Sequence, residues 1–119
     1  MRFALSPNDR RVQDLVVALD RDDVPFAETW RAVGDAASQL GLLRPGYHLV
    51  RELAKAARVL RAARADTRRA MRRALVAVGS PYVHNLRLAA RQLRDAYEHE
   101  VLVLEQHKAF RGEEVARGP

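Results

Sequence analysis

Residues 33–52 read VGDAASQLGLLRPGYHLVRE, and the way this stretch divides decides the fold. Val33, Ala36, Ala37 and Leu40 fall at helical spacing, and the run stops at Gly41, a residue that enters positive φ without strain and so suits a helix C-terminus. Pro45 then opens a second helical run through Tyr47, Val50 and Leu53, because proline fits the first turn, where its missing N–H costs nothing. Two helices joined by a short turn are predicted. Gly34, inside the first of them, costs about 1 kcal/mol against Ala and is expected to mark a close helix contact or a bend.

Outward from this pair, Ser6-Pro7-Asn8-Asp9 has the chemistry of a helix start: a capping hydroxyl, a proline, and an acid near the N-terminus. Val12, Leu15, Val16 and Leu19 follow at helical spacing, and the acids from Asp20 to Asp23 end that helix. Pro25 is expected in the first turn of the next helix, whose apolar stripe is Phe26, Trp30, Val33, Ala36, Ala37 and Leu40. Beyond Gly46 no Gly or Pro recurs until Gly79. One unbroken helix there would be roughly 50 Å long at about 1.5 Å per residue, and Asp66-Thr67 offers an internal cap, so a break near residues 64–67 is expected. Gly79-Ser80-Pro81 is the clearest boundary. A final helix is predicted from Pro81 to Phe110, followed by a frayed tail, GEEVARGP. The expectation is an all-α chain of five or six helices: an N-terminal three-helix unit over residues 1–60, then long C-terminal helices over 61–119 forming a dimerising bundle.

Composition narrows the chemistry. Of the 119 residues 48% are hydrophobic, enough for a core, but only 6% are aromatic, so that core must be made of Leu, Val and Ala. The chain has no cysteine, which removes disulfides, thiolate nucleophiles and Cys-based zinc sites. The N-terminus shows no apolar signal segment, and no apolar run nears the roughly 20 residues needed to cross a bilayer. A soluble cytoplasmic protein is expected. There is no Gly-rich phosphate loop. The four histidines, His48, His84, His99 and His107, lack the close spacing of a metal site, and no carboxylate pair suggests acid–base catalysis. Neither an enzyme, nor a cofactor, nor a metal is expected.

Charge is unevenly placed. The net charge is +6, yet residues 44–94 carry thirteen bases and two acids, while residues 1–43 and 95–119 are each mildly acidic. A basic middle of this kind is the footprint of a polyanion-binding face, or else an arginine-rich helix surface in solvent.

The segment Val33–Glu52 resembles the helix-turn-helix of bacterial transcription regulators, and RPGYHLVREL is similar to such segments in actinobacterial regulators. Ala37 is the small residue at the close crossing, Leu40 and Leu42 flank the turn, Gly41 turns the chain, and Tyr47 and Val50 face inward. The resemblance implies double-stranded DNA as partner, with a recognition helix over about 44–55 in the major groove. Arg44, Gly46, His48 and Arg51 would then face the bases, with Lys55 and Arg58 further along. An arginine gripping guanine through two hydrogen bonds discriminates by about 1–3 kcal/mol. Leu43 stands where a capping Ser or Thr is common, Tyr47 is larger than the usual Val or Ile, and Gly46 weakens the helix start.

Two further features bear on assembly. Bases continue from Arg61 to Arg73 at mostly three- and four-residue steps, with phosphates or the acids Asp95, Glu98, Glu100 and Glu105 as alternative counter-charges. The last helix carries Tyr82, Leu86, Ala90, Leu93, Tyr97, Val101 and Leu104 as a packing seam, and Val101-Leu102-Val103-Leu104 is apolar all round, which implies cover by a second chain. A homodimer through the C-terminal helix is expected, able to present two recognition helices about 34 Å apart. The functional expectation is a sequence-specific DNA-binding transcription regulator. The alternatives are a helical protein-interaction module, antitoxin- or adaptor-like, and a nucleoid protein that binds DNA without sequence preference. No effector ligand is identifiable.

Overall fold

Helix ends fall where the backbone chemistry of the turns puts them. The structure, a computed structural model, describes residues 10–110, with side chains as far as Lys108. Among the described residues there are four helices and no strand: α1 (Arg10–Leu19), α2 (Phe26–Gln39), α3 (Tyr47–Val78) and α4 (Val83–Phe110). The chain is all-α, as expected, with fewer helices than the five or six anticipated. The expected start at Ser6-Pro7-Asn8-Asp9 and the expected frayed tail lie outside the described residues. No described helix is long and apolar enough to cross a membrane.

α1 stops at the acidic run, the Asp20 N–H making the last turn's hydrogen bond to Val16 O at 2.8 Å. Pro25 stands just before α2 in an extended conformation (φ −62°, ψ 148°) rather than inside its first turn, and its carbonyl accepts from the Glu28 N–H at 3.0 Å. The far end of α2 closes as the sequence foretells. Gly41 has φ 75°, its N–H donates to Ser38 O at 3.1 Å, and the Leu42 N–H reaches back to Ala37 O at 2.8 Å. That pair of bonds is the Schellman closure, and it satisfies two carbonyls that the helix end would otherwise leave orphaned.

Two expectations fail in the following stretch. Helix α3 begins at Tyr47, not Pro45, so the connection from Leu40 to Gly46 is longer than a tight helix-turn-helix turn. The expected break near residues 64–67 is absent, and α3 runs unbroken for 32 residues. Thr67 explains why. Its hydroxyl lies 3.2 Å from Ala63 O, one turn back in the same helix, and 3.3 Å from Ala96 O on α4. It is spent on carbonyls inside the helical array and does not cap a new helix. The Gly79-Ser80-Pro81 boundary holds. Ser80 Oγ accepts from the Tyr82 N–H at 3.2 Å and from Asn85 Nδ2 at 3.1 Å, and α4 starts at Val83.

The chain forms two compact units. Among the described residues the first comprises 10–58 together with the end of α4 from His107, and the second is Val59–Gln106. The expected division after residue 60 falls close to the first boundary but assigns the end of α4 differently. The first unit is built on valine: Val12 and Val16 of α1, Val33 of α2, and Val50, Leu53 and Ala54 of α3 are buried together, with Leu15, Phe26, Trp30 and Leu49 packed around them. Four-residue and three-residue steps put each of these on the inner side of its helix. Leu40, expected to plug this core, is 63% exposed, because the Schellman turn carries it away from the stripe of α2.

The second unit is a helical hairpin of a different composition. Ala63, Ala70 and Ala77 on α3 and Ala89 and Val103 on α4 are buried, and Leu60, Ala63 and Val103 form its apolar cluster with Leu104 against it. Small side chains repeated every seven residues let two helices approach closely along their length. The Thr67 hydroxyl reaching the Ala96 backbone carbonyl records that closeness.

At Gly41 a Cβ would meet no other atom within 4 Å, so only the positive φ opposes a side chain. Replacing Gly41 with Ala should lower unfolding free energy by about 1 kcal/mol, read by urea denaturation. A change below the error of that measurement would mean the closure of α2 does not hold.

Candidate nucleic-acid interface

The residues expected to face DNA are not disposed alike, and the difference begins at Trp30. From the half-buried face of α2, Trp30 Nε1 donates to Pro45 O at 3.0 Å. This bond fixes the connection before α3, and Pro45 itself is buried. The Tyr47 ring meets the indole edge-on, with centroids 5.8 Å apart, so Tyr47, expected to be a core residue, forms part of an aromatic corner and is partly exposed.

Arg44 folds back onto the same indole. Its guanidinium carbon sits 4.8 Å from the ring centroid and Nη1 lies 3.8 Å from Asp35 Oδ1. The glycine at position 34 makes room for it, since a Cβ there would come within 2.6 Å of Arg44 Nη1. Gly34 therefore marks a close contact with the Arg44 side chain, where a close helix contact or a bend was expected. Arg44 and Gly46 both lie in the connection ahead of α3, not on a recognition helix, and Gly46 is exposed with open space where its Cβ would be.

His48, Arg51 and Lys55 do lie on α3, on the side opposite Val50, Leu53 and Ala54. His48 and Lys55 are exposed and Arg51 is half-exposed. Arg51 and Lys55 share one carboxylate, Glu52 Oε2, at 3.3 and 3.5 Å, and Arg51 also lies 5.7 Å from the Phe26 ring centroid. Ion pairs as open as these are worth about 0–1 kcal/mol, so both cations can exchange Glu52 for another anion at little cost.

Arg58 is different in kind. Its Nε and Nη2 grip the two carboxylate oxygens of Asp20 at 2.9 and 2.8 Å, Nη2 also donates to Val24 O at 2.8 Å, and the guanidinium stacks 4.2 Å from the Phe26 ring centroid. The Asp20 side chain is fully buried and additionally accepts from Thr29 Oγ1 at 2.6 Å. Arg58 is thereby withdrawn from the set of DNA-facing residues: its charge is spent inside the first unit. The structural importance of Asp20 and Trp30 was not anticipated. One signal existed for Asp20, which continues the four-residue series Val12, Val16 and so sits on the core side of α1.

In the second unit part of the arginine ladder has acidic partners, one of them on α4 as envisaged and one, Asp66, on α3 itself. Arg64 lies 4.0 Å from Glu100 of α4 and Arg69 pairs with Asp66 one turn back. Arg68, Arg72 and Arg73 are exposed, and no acid occurs from residue 67 to residue 94.

The two kinds of arginine are separable by experiment. Arg58→Met should destabilise the chain by about 3–5 kcal/mol, because it leaves the Asp20 charge buried without its partner. Arg51→Met should change stability by less than about 1 kcal/mol. Urea unfolding of both variants measures the contrast, and equal losses would contradict the assignment. Comparison of the chain with family models, with curated proteins and with solved structures gives no match.

Proposed function

We propose that the chain is a sequence-specific double-stranded DNA-binding regulator that works as a homodimer, with the start of α3 as the element that meets the major groove. The observation that carries the proposal is the exposed ridge of His48, Arg51 and Lys55, set on a helix whose opposite side is held by the valine core. A rigid inner face and a cationic outer face are what groove recognition requires. Guanidinium and ammonium groups whose ion pairs are to a shared, accessible Glu52 leave that carboxylate readily when phosphate or a guanine edge offers itself. Arg44 belongs to the proposal in a changed role, as a group in the preceding connection that would have to leave Trp30 and Asp35 to reach DNA. Arg58 no longer belongs to it. The exposed Arg68, Arg72 and Arg73 suit phosphate contacts that carry no sequence information.

A helical protein-interaction module is the second reading. It is favoured by the many large apolar residues that the second unit leaves exposed, among them Val76, Tyr82 and Val83.

Duplexes selected from a random pool, titrated with the full chain over a range of salt, separate the two. A regulator shows affinity that falls steeply with salt while one sequence stays preferred. Arg51→Ala should cost about 1–3 kcal/mol on the preferred duplex and much less on random ones. Arg68→Ala with Arg72→Ala should weaken all duplexes alike and flatten the salt slope by roughly two. Absence of duplex binding at physiological salt would leave the interaction module as the better reading.

A further inference from the structure

The second unit carries more apolar surface than its own core uses. Inward positions of the hairpin are mostly alanine, and few large apolar side chains, Leu60 and Val103 chief among them, are buried. About 100° round α4 from its inward line Ala89–Ala96–Val103, the step between neighbouring residues, runs a second apolar line: Leu86, Ala90, Leu93, Tyr97, Val101 and Leu104. Its members follow at three- and four-residue steps over nearly the whole helix, the spacing of a helix-packing seam. Tyr97 is 58% and Val101 39% exposed. The antiparallel sense of the hairpin is fixed by the pairs Arg64–Glu100 and Thr67–Ala96. With that sense, offsets of the same hand on the two helices fall on one side, so Met71, Leu75 and Val78 of α3 extend the same face.

Charge selects the occupant. Flanking the seam, α4 is basic in its first half (Arg87, Arg91) and acidic in its second (Glu98, Glu105) up to Lys108 in its last turn, while at its middle Arg94 Nε and Asp95 Oδ1 stand 3.9 Å apart. A helix with this polarity is complementary to itself when the second copy runs the opposite way. A parallel copy would bring the two basic halves to one level and the two acidic halves to another, and so lose this pairing of unlike charge. We infer that the α4 seam is the homodimer interface and that the two α4 helices pair antiparallel about a two-fold axis near Leu93. The inference deepens the dimeric part of the proposed function and rests on that part alone. Each hairpin then lends its apolar face to a four-helix arrangement, an isologous contact in which Leu86 of one copy lies opposite Val101 of the other.

The absence of cysteine from the chain makes introduced thiols clean probes. Light scattering on the eluting full chain should give twice the chain mass. Under mild oxidation, Leu93→Cys should cross-link to itself. Leu86→Cys and Val101→Cys should each fail to cross-link alone yet cross-link to each other when mixed. A parallel pair would instead cross-link at every one of these positions alone, and that result overturns the inference, as does a chain that stays monomeric at the concentrations where it binds its targets. Arg91→Glu and Glu98→Arg should each weaken self-association by about fivefold, with association recovered in the double variant. These surface variants keep the hairpin core, and circular dichroism checks that they fold. A dimer that ignores all duplexes would refute DNA recognition and leave this interface standing, while a monomer that binds a preferred duplex would do the reverse.

Discussion

The buried carboxylate of Asp20 is the constraint around which the first unit is arranged. It lies at the end of α1, takes a hydrogen bond from Thr29 of α2, and is held through both oxygens by Arg58 of α3. One side chain thus ties three helices, and the Arg58 bond to Val24 O adds the connection between the first two. A buried ion pair of this kind adds little net stability over a well-packed apolar substitute, since desolvation offsets most of the Coulomb attraction. Its effect is selective. A valine core of small, similar side chains tolerates sliding of one helix along another, whereas a carboxylate with fixed donors accepts only one arrangement. The axial position of α3, and with it that of His48, Arg51 and Lys55, follows from that selection.

Trp30 does the corresponding work on the other side of α2. Its indole N–H anchors Pro45, its face holds the Arg44 guanidinium, and its edge meets Tyr47. The long connection is therefore bound to α2 even though it is not a tight turn. Cation–π contacts at partly exposed sites are worth about 0.5–1 kcal/mol, so Arg44 is held loosely enough for a polyanion to compete for it. Arg58, with two charge-assisted bonds to a buried partner, is not.

Helix existence was legible from the sequence wherever apolar spacing and turn chemistry agreed. Gly41 and the Gly79-Ser80-Pro81 boundary are such places, because positive φ and a capping hydroxyl are local requirements that a single residue declares. What was illegible depended on partners distant in the chain. Thr67 beside Asp66 has the same sequence appearance whether its hydroxyl caps a helix or reaches a carbonyl of α4, and only the close approach of α4 decides. Among the bases, Arg51 and Arg58 look equivalent in a ladder of three- and four-residue steps. They differ because Arg58 falls at the edge of the apolar stripe of Val50, Ala54 and Ala57, where a long side chain can turn inward towards Asp20, and Arg51 does not. Of the six residues first assigned to a DNA face, His48, Arg51 and Lys55 share an exposed surface, Arg44 and Gly46 precede the helix, and Arg58 is interior.

The contrast between the two units bears on what each can do alone. The first buries Val12, Val16, Val33 and Val50 completely and adds a polar lock. The second repeats alanine along its inner seam, and alanine contributes little burial free energy, which scales at about 25 cal/mol per Å2 of apolar area removed from water. A hairpin that spends its inward positions on alanine while keeping Leu75, Val76, Tyr97 and Val101 outside has its larger apolar side chains placed for an external contact. Their place in the helical repeat sets those side chains outward, and the small residues at the inward positions let α3 and α4 approach closely. The small inner seam and the large outer one are in this sense two sides of one arrangement: the first lets the helices lie close together, and the second leaves the larger apolar side chains on the surface.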